Sequence, residues 1–391
     1  MFLCKRYFKT KANQKMLNSR IIKWLVFFSV VLFCVSLLHH YKMRSFPEFG
    51  HQLQTIVYMN TKNERDSILF LKAHKCASTT VQNILMRFGY SKGLDFVLPS
   101  SGNYIGNPTP FAASLIPTEL TSPSRKYHIF THHTRYNYSA MRSVMKPDCK
   151  FVTILRDPAT LYESLFNFYH LERITRVSFH ELLTSKTKWP LLKHRYLKRL
   201  GLNQMAWDLG YAPEISIENF IANLDKEFDL VMISEFMEAS LVLLARLMNW
   251  PLSNVITLKL NARPENRRSL TEDERSKLME LNSIDTILYD YFAKKFHKTI
   301  LNYGKEKLKH DVMELLKLNS DLRRNCVDKM NNRGYAGTTN YDLRNNLNWT
   351  CVYSAKMELA FTDEIRNDQK ERFKTIKKLD ALLEVVDKDS D

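Results

Sequence analysis

Short apolar runs alternate with helical stretches along the chain from about residue 66. The apolar runs of strand length are residues 67–71, 127–130, 149–155, 228–233 and 255–258. Residues 79–88 follow the first run with the period of a helix, and helical patterns separate several of the later runs. This alternation predicts an α/β fold with a mostly parallel sheet flanked by helices.

Beyond residue 270 the pattern becomes long and helical, and it ends in a polar tail that contains Cys351. Amphipathic helices that pack on the main domain explain such a pattern. We therefore divide the folded part of the chain into a main domain at residues 66–305 and a C-terminal helical extension and tail at residues 306–391.

A separate apolar run, IIKWLVFFSVVLFCVSLL, occupies residues 21–38. It is long enough to cross a thin bilayer as a helix, and the Lys23 side chain can reach the interface. Most of the nearby Lys and Arg residues lie at or before Lys23, so the positive-inside rule predicts a single-pass type II protein with a lumenal body. A buried core helix and a cleaved signal peptide are the alternatives. The run is long for a signal peptide, and no A-x-A-like cleavage site follows it.

These features predict a cytosolic tail at residues 1–20, a transmembrane signal-anchor at residues 21–38 and a stem at residues 39–65. A short span with a brief cytosolic tail favours the Golgi membrane. Asn137 and Asn348 stand in N-x-[ST] sequons, so both are predicted glycosylation sites of a lumenal domain.

The cysteines suit an oxidising lumen. The first two of the six fall in the cytosolic and membrane segments, and the other four allow three connectivities. Cys76 lies in a tight loop and Cys149 precedes a buried strand, where a disulfide would distort the element. The predicted disulfide therefore joins Cys326 and Cys351.

Charge narrows the class of ligand. The formal net charge is +17, but nine basic residues precede the first acidic residue, Glu48, which leaves about +8 for the rest of the chain. A moderate basic excess suits a polyanionic small ligand. It would also suit nucleic acid, but the chain contains no nucleic-acid-binding motif and carries the membrane segment.

A turn rich in small and hydroxyl residues follows the first predicted strand, in SILFLKAHKCASTTVQNILMRF. The first turn of the next helix carries Ser78, Thr79 and Thr80, where free N–H groups and the helix dipole favour an anion. A phosphate or phosphosulfate fits there, with Lys75 as its electrostatic partner. The turn lacks the glycines of G-x-x-x-x-G-K-[ST], which disfavours a nucleoside triphosphatase. Taken alone, it would also suit an ordinary strand-to-helix turn.

A second strand-turn-helix unit, KFVTILRDPATLYESLFNFY, places Arg156 at the strand end and Ser164 eight residues later. Pro158 suits the first helical turn, and Asp157 is expected to cap or brace it. Ser164 lies about two turns into the helix, so the tertiary fold decides whether it and Arg156 reach one phosphate.

The two units carry a resemblance. K-x-A-S-T followed by R-D-P-x-x-x-x-x-S resembles the 5′-phosphosulfate and 3′-phosphate elements of sulfotransferases that use 3′-phosphoadenosine-5′-phosphosulfate (PAPS). The segments FLKAHKCASTTVQNILMRFG, ILRDPATLYESLFNF, DLGY, SLVLLARLMNW and LKLNAR are similar to the galactose-3-O-sulfotransferase family, which includes galactosylceramide sulfotransferase. The similarity covers residues 67–263 and continues more faintly to Cys351. Cys76 stands where Thr is expected, and its weaker hydrogen bonding predicts weaker donor binding.

This resemblance implies a P-loop-like sulfotransferase domain that moves a sulfuryl group from PAPS to a galactose hydroxyl, O-3 by expectation. The acceptor would be a glycolipid such as galactosylceramide or a glycoprotein glycan. The expected donor-site residues are Lys75, Ser78, Thr79, Thr80, Arg156, Ser164 and Arg263. Lys75 would stabilise the leaving phosphate, and Arg156 with Ser164 would hold the 3′-phosphate. An in-line displacement of this kind requires no metal.

The acceptor hydroxyl needs a base, and histidine has a suitable unperturbed pKa. In YHIFTHHTRY, His132 and His133 fall at the end of a predicted strand, where α/β sites assemble. The resemblance matches His133 and Arg135 to a histidine-x-arginine pair, so His133 is the expected base. His74, inside the phosphate loop, is the alternative, and a structural role for His133 is the third possibility.

Rival functions remain open at this stage. A uronic-acid or glucosamine O-sulfotransferase of heparan type has similar loops, although DLGY and LKLNAR favour galactose. An inactive Golgi protein that binds PAPS as a scaffold would explain Cys76. A nucleoside-phosphate kinase is disfavoured by the missing glycines. The choice of lipid or protein-linked acceptor and the oligomeric state are not encoded in these motifs.

Overall fold

The computed structural model describes residues 64–192, 195–258, 269–333, 339–344 and 347–388. The predicted cytosolic tail, the apolar run at residues 21–38, nearly all of the stem and Arg263 lie outside the described residues. Within those ranges, no helix is both long and apolar enough to cross a membrane. The described residues all belong to one compact unit.

A five-stranded parallel sheet forms the centre of this unit. Its strands are β1 (Ile68–Leu71), β2 (Phe96–Val97), β3 (Ile129–Phe130), β4 (Lys150–Leu155) and β5 (Leu230–Ile233). They lie in the order β2-β3-β1-β4-β5, and every neighbouring pair is parallel. All four residues of β1 are buried, as expected for an apolar central strand covered on both faces. The predicted α/β class with a mostly parallel sheet is confirmed.

Helices flank the sheet and continue beyond it. They are α1 (Ser78–Ser91), α2 (Tyr138–Val144), α3 (Pro158–Phe168), α4 (Leu171–Thr175), α5 (Phe179–Thr184), α6 (Gln204–Asp208), α7 (Ile217–Glu227), α8 (Met237–Met248), α9 (Glu272–Leu281), α10 (Ser283–Tyr303), α11 (Lys305–Cys326), α12 (Trp349–Ala355) and α13 (Glu358–Lys388). A two-stranded antiparallel hairpin, β6 (Val327–Asn331) and β7 (Asn340–Leu343), lies between α11 and α12.

The predicted strand at residues 255–258 is absent. A 3-10 helix occupies Leu252–Val255, and β5 is the last strand of the sheet. Side chains form the hydrogen bonds of the backbone that follows this helix. Arg87 donates to the Ile256 carbonyl, and the Thr257 N–H donates to Asn319 Oδ1 at 2.8 Å. Val255 and Leu258 are buried and Ile256 is partly buried. A short apolar run does not by itself distinguish a strand from another buried segment.

The expected polar tail is helical. The 31-residue helix α13 follows Cys351 and reaches the edge strand β2. Gln369 donates from Nε2 to the Phe96 carbonyl at 2.8 Å, and its Oε1 accepts from the Phe96 N–H at 2.7 Å. One side-chain amide therefore satisfies the backbone groups that an open edge would leave exposed.

Cys326 and Cys351 form a disulfide, the pairing predicted from the sequence. It joins the end of α11 to α12 and lies in a small apolar cluster with Leu322 and Ala355. The free thiols of the described residues, Cys76 and Cys149, are both buried.

Candidate active site

The phosphate loop connects β1 to α1 at the carboxyl edge of the sheet. Lys75 and Ala77 have φ values of 59° and 57°, so two non-glycine residues adopt the left-handed region to make the turn. Ser78 closes the loop by donating from Oγ to the Ala73 carbonyl at 2.7 Å. No side chain caps the N-terminus of α1, and its first turn carries the predicted hydroxyl residues Ser78, Thr79 and Thr80. The positive end of α1 therefore faces the mouth of the loop, where an anion would be stabilised.

Arg156 is brought to the phosphate loop. Its Nη1 donates to the Lys75 carbonyl at 2.9 Å, and its Nε donates to Thr160 Oγ1 at 3.2 Å. The Lys75 ammonium lies 3.4 Å from the centroid of the Phe168 ring. Ser164 is buried further along α3. The two predicted strand-turn-helix units therefore converge on Lys75.

Asp157 has the predicted capping role in the second unit. The Thr160 N–H donates to Asp157 Oδ1 at 3.0 Å, and Pro158 occupies the first turn of α3. Arg275 pairs with the same carboxylate through both terminal nitrogens. Residues of α3 and α9 therefore both bind Asp157 and hold the turn that follows Arg156.

Cys76 points away from the mouth of the loop. The side chain is fully buried in the core, and its thiol donates to the His74 carbonyl at 3.4 Å. Burial raises the pKa of the Cys76 thiol well above its ordinary value, so the thiol stays protonated. The Cys76 side chain therefore packs in the core and bonds to the backbone of its own loop.

His74 is held by a buried carboxylate. Its ring Nδ1–H donates to Asp208, with Nδ1 at 2.9 Å from Oδ1 and 2.8 Å from Oδ2, and its backbone N–H donates to Oδ2 at 2.8 Å. This bond leaves the lone pair on Nε2. The Tyr104 hydroxyl donates to Nε2 at 2.9 Å, and burial raises the pKa of Tyr104 to about 12, so that proton stays in place. A hydroxyl group already occupies the position from which a base would accept a proton.

His133 stacks against His74, with ring centroids 4.1 Å apart. Its Nδ1–H donates to the Lys72 carbonyl at 3.0 Å. Burial, and then the charge of Lys72, hold the pKa of His133 well below its ordinary value. His133 is therefore neutral and only weakly basic. The neighbouring His132 is also buried, and its Nε2 hydrogen-bonds with Thr362 Oγ1 at 3.1 Å.

Three arginines surround the Asp208 end of the site. Arg135 and Arg195 lie over the Trp207 ring at 4.0 and 4.2 Å, and Arg199 lies over the Tyr104 ring at 4.4 Å. Arg135 also donates to the Trp207 and Tyr211 carbonyls. Arg135, of the expected histidine-x-arginine pair, thus belongs to a group of arginines stacked on aromatic rings beside Tyr104.

Both predicted glycosylation sites cap helices. Asn137 Oδ1 accepts from the Ala140 N–H at the start of α2, and Asn348 Oδ1 accepts from the Cys351 N–H at the start of α12. Asn137 Nδ2 additionally donates to the Phe111 carbonyl at 3.1 Å. Glycosylation at these positions stays a prediction.

Comparison with known proteins shows the family of this chain. A family model described as galactose-3-O-sulfotransferase matches residues 4–344. Galactosylceramide sulfotransferase of Bos taurus is 32% identical over 279 residues, covering 68% of this chain and 64% of the relative. Galactose-3-O-sulfotransferase 3 of Mus musculus is 32% identical over 276 residues, covering 66% and 63%. The chain belongs to the galactose-3-O-sulfotransferase family.

The alignments with these family members span less than two thirds of the relatives' own length. A sulfotransferase of known structure from Alicyclobacillus acidocaldarius shares 15% identity, covering 59% of this chain and 96% of that one, with a TM-score of 0.33. That score is too low to bear on the fold. The predicted family resemblance is confirmed by the match to the family model and by the curated relatives.

Two supporting acids, Asp208 and Asp285, are not predicted by the sequence pattern. Asp208 is part of the DLGY segment, and nothing in the local sequence indicates that it binds His74. Asp285, in α10, accepts from the Met205 and Ala206 N–H groups at 3.0 and 2.8 Å and so caps α6, the helix that carries Asp208. Burial raises the pKa of Asp285 to about 7, although both N–H donors oppose that shift.

The raised pKa of Asp285 makes its contribution to folding depend on pH. The folded state keeps the Asp285 proton up to about pH 7, whereas the unfolded chain releases it above its ordinary value of 3.8. The group's stabilising contribution is present at low pH and is lost as the pH rises towards 7. The free energy of unfolding of the native chain minus that of Asp285→Asn should fall between those values, by up to about 1.4 kcal/mol per pH unit.

Chemical denaturation from pH 4 to pH 8 measures this difference. Asp290→Asn, an exposed carboxylate on the same helix, is the matched control and should run parallel to the native chain. A difference for Asp285→Asn that stays constant or grows with pH would contradict the assignment.

Proposed function

We propose that this protein transfers a sulfuryl group from PAPS to a galactose hydroxyl, at O-3, of a glycolipid or glycoprotein glycan. Membership of the galactose-3-O-sulfotransferase family supports the reaction class. The observation that carries the proposal is the hydrogen bond between Asp208 of α6 and His74 of the phosphate loop. His74 would serve as a base beside the site where the N-terminus of α1 and Lys75 would hold a phosphosulfate.

The proposed roles follow from the contacts. Lys75 neutralises charge on the bridging and leaving phosphate oxygens, and Arg156 steadies the loop through the Lys75 carbonyl. The first-turn N–H groups of α1 bind the 5′ side of the donor. The new bond between the acceptor oxygen and sulfur forms as the bond from sulfur to the bridging oxygen breaks. The acceptor proton leaves to a histidine. At His74 it would pass through the Tyr104 hydroxyl, which gives its own proton to Nε2 as it takes the proton of the acceptor.

The geometry favours His74 over His133 as that base. Asp208 fixes the His74 tautomer and would stabilise the imidazolium that forms, in the way a buried carboxylate supports a catalytic histidine. His133 lacks a carboxylate partner among the described residues and is only weakly basic because its pKa is held low. The sequence-based prediction favoured His133, and the two histidines are separable by experiment.

The function is tested with the full chain, radiolabelled PAPS and a panel of galactosylceramide, lactosylceramide, terminal-galactose oligosaccharides and desulfated heparan. Label on a galactose acceptor is expected, and chemical mapping of the product should locate it at O-3. Label on heparan alone would assign the chain to the heparan-type alternative. Donor binding without transfer would indicate an inactive PAPS-binding scaffold.

The base is tested with His74→Ala and His133→Ala. His74→Ala should lower kcat by about 100-fold or more, because a positioned general base contributes at least that factor. His133→Ala should lower kcat by less than about 10-fold, since it removes a stacked neutral ring. Binding of the desulfated donor, measured by calorimetry, should stay within about 3-fold of the native value in both variants. The reverse ranking of the two variants would restore His133 as the base.

We also propose the Golgi membrane as the location, with the folded unit in the lumen. The basic N-terminal tail and the apolar run at residues 21–38 support this orientation. Glycosidase treatment of the expressed chain should remove glycans from both Asn137 and Asn348. Loss of the mobility shift in Asn137→Gln and Asn348→Gln identifies the two sites, and a chain without glycans at either site would contradict a lumenal body.

A further inference from the structure

Glu358, the first residue of α13, is tied to two segments beside the active site. Its Oε1 lies 2.6 Å from Lys72 Nζ and 2.9 Å from Asn103 Nδ2. Lys72 follows β1 directly and is only 2% exposed, although it is a lysine. Asn103 precedes Tyr104 in the loop that contacts His74. A single carboxylate oxygen therefore joins the C-terminal helix to the strand end and to the Tyr104 loop.

The Lys72–Glu358 pair is electrostatically coupled. Burial lowers the pKa of Lys72, while the charge of Glu358 opposes this shift. Burial acts to raise the pKa of Glu358, but the charge and hydrogen bond of Lys72 and the hydrogen bond from Asn103 together outweigh burial, and the pKa is lowered. Removal of either partner would leave a buried charge without compensation, which strongly disfavours the present arrangement of both segments.

Both segments held by Glu358 in turn hold His133. The Lys72 carbonyl accepts from His133 Nδ1–H at 3.0 Å, and the Asn103 carbonyl accepts from the His133 N–H at 3.1 Å. The Ile105 N–H donates to the His133 carbonyl at 2.8 Å, which makes the Tyr104 loop run as a parallel bridge beside the strand end. His133 then stacks on His74. Two backbone connections therefore link the carboxylate to His133, and the stacking contact links His133 to His74.

The helix that carries Glu358 is itself firmly placed. Thr362 bonds with His132, Gln369 pairs with both backbone groups of Phe96, and Arg366 donates to the Pro99 and Gly102 carbonyls. Pro99 and Gly102 lie just before Asn103, at the start of the Tyr104 loop. The match to the family model ends at residue 344, so this whole set of contacts comes from the chain beyond the matched region.

We propose that Glu358 is a positioning residue for the acceptor side of the transfer site, because it fixes the Tyr104 loop and the stacked His133 and His74 rings. This inference rests on the proposed sulfuryl transfer. It assigns the C-terminal helix a role in the reaction, while the phosphate loop and Arg156 serve the donor side.

The experiment compares Glu358→Ala with Glu364→Ala in the full chain. Glu364 is the matched control, since it also lies on α13 and pairs with Lys356, but it contacts Tyr353 and Tyr90 rather than the Tyr104 loop. Four quantities are measured for each variant: the melting temperature, the dissociation constant of the desulfated donor, kcat and KM for the acceptor, and amide hydrogen exchange over residues 103–105 and 131–135.

Glu358→Ala is expected to lower kcat/KM for the acceptor by about 10-fold or more, with donor binding within about 3-fold of the native value. The effect exceeds that of His133→Ala because the substitution releases the Tyr104 loop as well as the His133 ring. Exchange should accelerate at residues 103–105 and 131–135. Glu364→Ala should lower the melting temperature by a similar amount but leave kcat/KM within about 3-fold and exchange at those residues unchanged. If Glu358→Ala does not fold, Glu358→Gln keeps an acceptor for Asn103 without the charge and is measured in its place.

Equal activity in the two variants would overturn the inference, and so would a loss of donor binding as large as the loss of transfer. The exchange measurement separates this result from a failure of the proposed function. A native chain that transfers no label to any acceptor refutes the function, whereas unchanged exchange at residues 103–105 and 131–135 in Glu358→Ala refutes the positioning role even then.

Discussion

The hydrogen bonds of the buried Asp208 carboxylate are the constraint on which the rest of the site depends. A buried carboxylate is costly unless its oxygens are satisfied, and Asp208 receives the backbone and ring N–H groups of His74 and the amide of Gln204. Those bonds fix the phosphate loop, because His74 lies one residue before Lys75. They also fix α6, which Asp285 caps from α10.

The site therefore depends on residues far apart in the chain. The parallel sheet supplies the common edge at which β1, β3 and β4 end, so the loops bearing Lys75, His133 and Arg156 start close together. The sheet alone does not determine how closely these loops pack against one another. Contacts from three helices complete the site. Asp208 of α6 binds His74, Asp285 of α10 caps α6, and Glu358 of α13 pairs with Lys72.

The sequence predicts the features that neighbouring residues determine, namely strands and a helix cap. The apolar runs gave four of the five strands of the sheet, and the capping role of Asp157 followed from its position before Pro158. The roles of Asp208 and Glu358 carry no such signal, since each depends on a partner more than 100 residues away. The run at residues 255–258 gave a wrong prediction because an apolar pattern indicates burial but not sheet pairing, and side chains bond the backbone of this run instead.

The stacked histidines show why the sequence alone does not distinguish His74 from His133 as the base. Both rings are buried and 4.1 Å apart, so a proton on one disfavours a proton on the other. Burial and the charge of Lys72 lower the pKa of His133, whereas the Asp208 carboxylate hydrogen-bonds to the His74 ring. The surroundings of each ring therefore distinguish the two candidate bases. His133 stays neutral. Its ring stacks on His74, and its backbone bonds to the Tyr104 loop.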